Sequence, residues 1–144
     1  MSDTQENITS PAKVVVSKND CYELLYEADA NRVHFTILGF WKNEHIVPEL
    51  LNDLTDTLAL SQSGYTLLAD FSSMVTHPQQ LNALHVKLQH KFIEANLSYG
   101  AYVEPLDKIA NFQLDQTMEE SQLKLKRFSA LEDAEAWLNS VSPA

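Results

Sequence analysis

Ser63-Gly64-Tyr65-Thr66-Leu67-Leu68-Ala69-Asp70-Phe71 is the stretch on which the fold turns. Ser63-Gly64 punctuates the chain, and Tyr65 to Phe71 is β-favouring and apolar without the two-residue alternation of a half-wetted strand. Strands of that kind are covered on both faces, as in a sheet flanked by helices. The segments on either side supply the helices. Upstream, Val47, Leu50, Leu51, Leu54 and Leu58 follow the i, i+3, i+4, i+7, i+11 spacing of an amphipathic helix, with Pro48 placed in its first turn. Downstream, Thr76-His77-Pro78-Gln79 has capping-box spacing, and Leu81, Leu84, Leu88, Phe92 and Ala95 mark the buried face of a second helix.

Further out, residues 22–27 and 32–40 are two β-rich runs joined by Asp29-Ala30-Asn31, which predicts a hairpin. Val14-Val15-Val16 favours β structure without declaring a place in the sheet. Tyr99-Gly100-Ala101-Tyr102-Val103 predicts a strand stopped by Glu104-Pro105. A weaker helical pattern covers residues 109–122, with Phe112 and Met118 as anchors, and residues 123–128 alternate as a short strand. Ser129-Ala130-Leu131-Glu132 has the spacing of another capping box, ahead of the stripe Leu131, Ala134, Trp137, Leu138 and Val141. The predicted order is β-β-α-β-α-β-α-β-α. That is an α/β fold with a mixed, mostly parallel sheet of four to five strands, flanking helices and an N-terminal hairpin. A mobile leader over residues 1–12 and a single domain over residues 13–144 complete the expected organisation.

Composition narrows the function classes. Twenty acidic side chains against ten basic ones give a formal charge of −10. Such a surface repels phosphate backbones, and the one basic cluster, Lys124, Lys126 and Arg127, falls on a predicted strand. Nucleic-acid binding is therefore disfavoured. The start, Met1-Ser2-Asp3-Thr4-Gln5-Glu6-Asn7, lacks the basic and apolar regions of a secretory signal, and no run is long enough to cross a bilayer. The single cysteine, Cys21, cannot pair within the chain and has no neighbouring cation to activate it. A cytoplasmic location is the expectation.

No familiar chemistry emerges. His85 and His90 lie five apart, about 140° round a helix, so they do not share a face as i, i+4 ligands do. His34, His45 and His77 add no ligand spacing, so no metal site is expected. Gly39, Gly64 and Gly100 are scattered, which argues against a phosphate-cradling loop, and no Gly-x-Ser-x-Gly elbow is present. The chain is thus expected to be non-enzymatic and without a cofactor. Trp41, between a strand and polar Lys42-Asn43-Glu44, is expected at a rim where a partner or an apolar ligand docks.

Two segments carry a resemblance. Leu67-Leu68-Ala69-Asp70-Phe71-Ser72, and the ending Lys126-Arg127-Phe128-Ser129-Ala130-Leu131-Glu132-Asp133-Ala134-Glu135-Ala136-Trp137-Leu138, are similar to the STAS domain. The likeness is to the divergent group of bacterial anti-sigma-factor-antagonist-like chains, and it spans residues 22–141. The resemblance implies a protein-binding regulatory module whose loop before the second helix contacts a partner. On that view Ser72, Ser73, Thr76 and His77 lie at the binding surface. Antagonists carry an Asp-Ser-Ser/Ala-Gly loop whose serine is phosphorylated, whereas Val75-Thr76-His77-Pro78-Gln79 stands at the matching place here. The glycine and paired serine are missing, so the phosphoserine switch does not carry over, and Thr76 is read as a helix cap. The alternative is a small carrier. The antagonist-like group has a mobile third helical segment, and the resemblance implies that the weakly patterned stretch 109–122 likewise lifts from the sheet. Phe112, Leu114 and Met118 then line a site for an apolar or lipid-like ligand. A homodimer through an edge strand is compatible with either reading.

Overall fold

The structure is a computed structural model and describes residues 13–142. The expected leader over residues 1–12 lies outside them. Six strands form one sheet: β1 (Lys13–Lys18), β2 (Tyr22–Glu27), β3 (Arg32–Ile37), β4 (Thr66–Asp70), β5 (Tyr99–Val103) and β6 (Lys126–Phe128). They lie side by side in chain order. Tight turns join β1 to β2 and β2 to β3, so those pairs are antiparallel. From β3 onward each strand is parallel to the one before. Each such connection needs a crossover, supplied by α1 (Leu50–Leu60), α2 (Asn82–Glu94) and α3 (Lys108–Ser121). A last helix, α4 (Leu131–Val141), follows β6.

The sheet therefore has six strands where four to five were expected. The additional one is β1, built on Val14-Val15-Val16 and bulged between Val15 and Ser17. As an edge strand it leaves Val14 and Val15 in water, so burial imposes no pattern on its sequence.

Two layers of unequal weight cover the sheet. Tyr22, Leu24, Val33, Phe35, Ile37 and Leu67 belong to the larger core, which includes Leu50 and Leu54 of α1, Leu84, Leu88 and Phe92 of α2 and Leu114 of α3. On the opposite face Leu68, Ala101 and Val103 pack with Ala134 and Leu138 of α4. The unalternated run in β4 is thereby explained, since Leu67 and Leu68 point to opposite faces and both are buried. The predicted face of the second helix (Leu81, Leu84, Leu88 and Phe92) is buried as its spacing requires.

The helix starts need correction. Pro48 precedes α1 instead of entering it, behind a 3-10 turn at Glu44–Ile46. Thr76 and Gln79 form no capping box, because Pro78 is extended and a 3-10 turn at Gln79–Leu81 leads into α2. At α4 the cap residue is Ala130 without a side-chain bond, and the Ser129 hydroxyl donates instead to Glu104, at 3.0 Å. The side-chain cap lies at α3, where Asp107 accepts from the amides of Ile109 and Ala110. Strand ends moved inward too. Gly39, with φ 63°, turns the chain after β3 and bridges to Met74. Leu123 and Leu125 turn beneath α2 and α3, which leaves only three residues in β6.

Candidate functional site

In open parallel sheets the loops beyond the carboxyl ends of the strands converge, and sites concentrate there. Here the loops after β3, β4 and β5 are tied together by hydrogen bonds. Asp70, at the end of β4, accepts from the amide and hydroxyl of Ser72, at 3.1 and 2.7 Å. The Gly39 amide donates to the Ser73 carbonyl, and the Val75 amide donates back to the Gly39 carbonyl. The Leu106 amide reaches the Ser72 carbonyl at 3.3 Å. Asp107 accepts from both the amide and hydroxyl of Thr76. From α3, the Gln113 side chain grips both backbone groups of His77, donating to its carbonyl and accepting from its amide. The segment between β4 and α2 is thus a pinned loop.

The four residues expected at a partner surface divide. Ser73 is exposed, while Ser72 and Thr76 are half-buried with their hydroxyls occupied. His77 is buried, correcting its expected surface position, because Gln113 draws its backbone under α3. Its ring lies 4.5 Å, centroid to centroid, from that of His85, which stacks on Trp41 at 5.5 Å and 12°. Trp41 is not at a rim. It is buried, and its indole N–H donates to the Cys21 carbonyl at 3.0 Å. Polar flanks misled here, because the apolar ring turns inward from the backbone that carries them. The His77 Nε2–H group donates to Asn82 Oδ1, and burial lowers the pKa of this imidazole. His85 is pushed down to about 3, by burial first and then by its neighbour His77. His77 Nδ1 and His85 Nε2 find no hydrogen-bond partner among the described residues.

Around the pinned loop stand several exposed apolar side chains. Phe40, Val75, Leu106, Ile109 and Phe112 all stand in water, Leu106 at 87 % and Phe112 at 62 % exposure. The inter-loop hydrogen bonds make their backbones neighbours. Phe40 follows Gly39, which is bonded to Val75, and Thr76 joins Asp107 between Leu106 and the head of α3. Sequence reasoning missed this platform. The only signal was phase: Ile109 and Phe112 are an i, i+3 pair on the side of α3 opposite the one marked by Leu114 and Met118.

Phe112 accordingly does not line a ligand site, which corrects its expected role, whereas Leu114 and Met118 do face inward. With Leu88, Phe92, Leu123 and Leu125 they enclose a cavity of about 20 Å³ under α2 and α3. No group of three or more histidine, cysteine or carboxylate side chains gathers to hold a metal among the described residues. The basic cluster is partly committed: Arg127 donates to the Tyr102 hydroxyl and pairs with Asp115, and Lys126 lies over Trp137. No described helix is long and apolar enough to cross a membrane.

Fold and site together define a mixed-sheet α/β domain with an exposed apolar platform at the carboxyl ends of its strands. No protein-family model, curated protein or solved structure matches the chain.

Proposed function

We propose that this chain is a non-catalytic interaction module of STAS-like type, which docks a protein partner through the platform around residues 72–77. One observation carries the reading: five large apolar side chains stand in water on backbone that is hydrogen-bonded into place. Contiguous apolar surface on a soluble domain marks an interaction site. A preorganised surface also loses little conformational entropy on docking. The occupied hydroxyls support the loss of the family's phosphoserine switch. Phosphate on Ser72 or Thr76 would break an existing bond and set an anion beside Asp70 or Asp107.

The test is quantitative affinity capture from the source cells with three baits. These are the native chain, a Leu106→Asp/Phe112→Ser variant, and a Leu60→Ser control at an exposed position on α1. The reading expects a stoichiometric protein retained by the native chain and the control and lost by the platform variant. Equal capture by all three baits removes it.

The cavity supports a second reading, the carrier of an apolar ligand. At about 20 Å³ it has room for no more than about one water, far short of the several hundred of a drug-sized site. Loading therefore requires α3 to lift. Native mass spectrometry decides: a co-purified lipid-like mass supports the carrier, and a bare chain mass opposes it.

A further inference from the structure

The Trp41–His85–His77 stack does more than fill space. Two imidazoles sit in van der Waals reach, sealed from water, each with a nitrogen that has no hydrogen-bond partner among the described residues. No charge compensates them. From β3 and β4 the cavity that His85 lines presents Phe35, Ile37 and Phe71, and α3 presents Leu114 there and Gln113 at His77. The ionisable groups of the surrounding segments are engaged elsewhere. Asp70 is bonded to Ser72, Asp107 to Thr76, and Asp115 to Arg127. Asp53 of α1 accepts from Tyr22, whose ring meets Trp41 edge-on. Lys42, Glu44 and His45 on the loop after β3 are exposed, as are Lys87 and His90 of α2 and Lys108 and Glu119 of α3. Stacking on indole favours a cation, but two imidazoles this close cannot both carry one without repulsion.

The cover over His77 is α3, through Gln113. α3 packs chiefly on α2, and much of that contact is neutral and polar. Gln89 donates to Thr117 and accepts from Ser121, and Gln113 holds the His77 backbone. Such bonds are readily exchanged for bonds to water.

We infer that the Trp41–His85–His77 stack is an acid-released latch: proton uptake by the imidazole pair frees α3 from α2 and dissolves the platform to which Ile109 and Phe112 belong. The loss of docking rests on the proposed interaction role, whereas the release of α3 does not. A base whose proton affinity is lowered in the closed state favours opening as pH falls below its open-state value near ~6.5. For His85, held near 3 when closed, the opening equilibrium rises about 30-fold between about pH 7.5 and about pH 5.

Amide hydrogen exchange of the full chain, corrected for intrinsic rates, reads this directly. Exchange across α3 is expected to rise about 30-fold or more over that range, while β4 and β5 stay protected. The rise is expected to shrink in His85→Phe and vanish in His77→Asn/His85→Phe. Unchanged α3 exchange, or a full rise in the double variant, overturns the latch. A second measurement does not depend on those variants folding. In a Trp137→Phe background, Trp41 emission reports its stacked neighbour, since a protonated imidazole quenches indole. A change between about pH 6.5 and the closed-state value of about 3 is expected, and a profile flat over that whole span overturns the proposal.

Discussion

Asp107 holds Thr76 with one carboxylate oxygen, which accepts the Thr76 amide at 2.8 Å and its hydroxyl at 2.9 Å, while the other oxygen caps α3. One side chain thereby fastens the loop after β4 to the helix after β5. The amides of Thr76 and then Ala110, with the Thr76 hydroxyl, hold this carboxyl below its usual range.

The first prediction concerns that junction. Asp107→Ala is expected to raise amide exchange at Thr76, Ile109 and Ala110 and to leave the central strands protected. A depressed acid contributes stability that is present above the unfolded value near ~3.9 and lost as pH falls through the lower folded value. In native protein the carboxyl's own contribution to the junction should therefore be lost only below about pH 4, beyond the pH range in which the histidine pair acts on α3. Exchange profiles of wild type and variant from neutral to acid pH check both statements.

The sheet was legible because burial writes period into sequence. Leu67 and Leu68 are both covered, so β4 shows no alternation, and α2 shows its spacing because Leu84, Leu88 and Phe92 all meet the sheet. Where burial was one-sided or absent the pattern faded. Val14 and Val15 lie on an exposed edge, and α3 buries Gln113, Thr117 and Ser121 in place of leucines. The platform was hidden for a related reason. Its members come from three loops and the start of α3, and the bonds from Gly39 to Val75 and from Asp107 to Thr76 make them neighbours. Short polar motifs misled most, since Thr76 and Ser129 found long-range partners in Asp107 and Glu104 instead of capping their own helices.

The polar seam under α3 makes a second prediction. Gln89→Leu removes the bonds across the seam but leaves the Thr117 and Ser121 hydroxyls donating to the carbonyls of Leu114 and Met118, and is expected to cost only about 1 kcal/mol. Replacing Thr117 as well, as Gln89→Leu/Thr117→Val, should cost little more, whereas Ser121 is kept because its hydroxyl accepts from the buried Leu123 amide. Urea unfolding of the two variants decides. A double variant far less stable than the single one contradicts the seam.

Substitutions on the platform should separate stability from association. Leu106→Ser and Phe112→Ser remove side chains that are mostly in water, so unfolding free energies are expected to move by only about 0.5 kcal/mol. Binding of an apolar dye to the native state should fall in both, since the exposed surface it senses is reduced. A Phe112→Ser loss well above about 1 kcal/mol would mean that this ring packs inward.

Gly100 sets the spacing between β5 and the chain that crosses over it. A Cβ built there would meet Leu125 Cδ2 at 2.3 Å, which no relaxed pair tolerates. The clashing atom ends a flexible side chain, and Leu125 lines the small cavity, so it has somewhere to go. Overpacking costs about 1–3 kcal/mol, while the reduced freedom of the unfolded chain returns about 0.4–1. Gly100→Ala is therefore expected to destabilise by about 1 kcal/mol and to fill part of the space beneath α3. Leu125→Ala removes the obstacle, so the two changes should be strongly non-additive, the double variant being more stable than the sum of the single losses predicts. Urea unfolding of the four proteins measures the coupling. Additivity within about 0.5 kcal/mol would show that Leu125 does not rest on Gly100 in solution, and that α3 already stands further from the sheet.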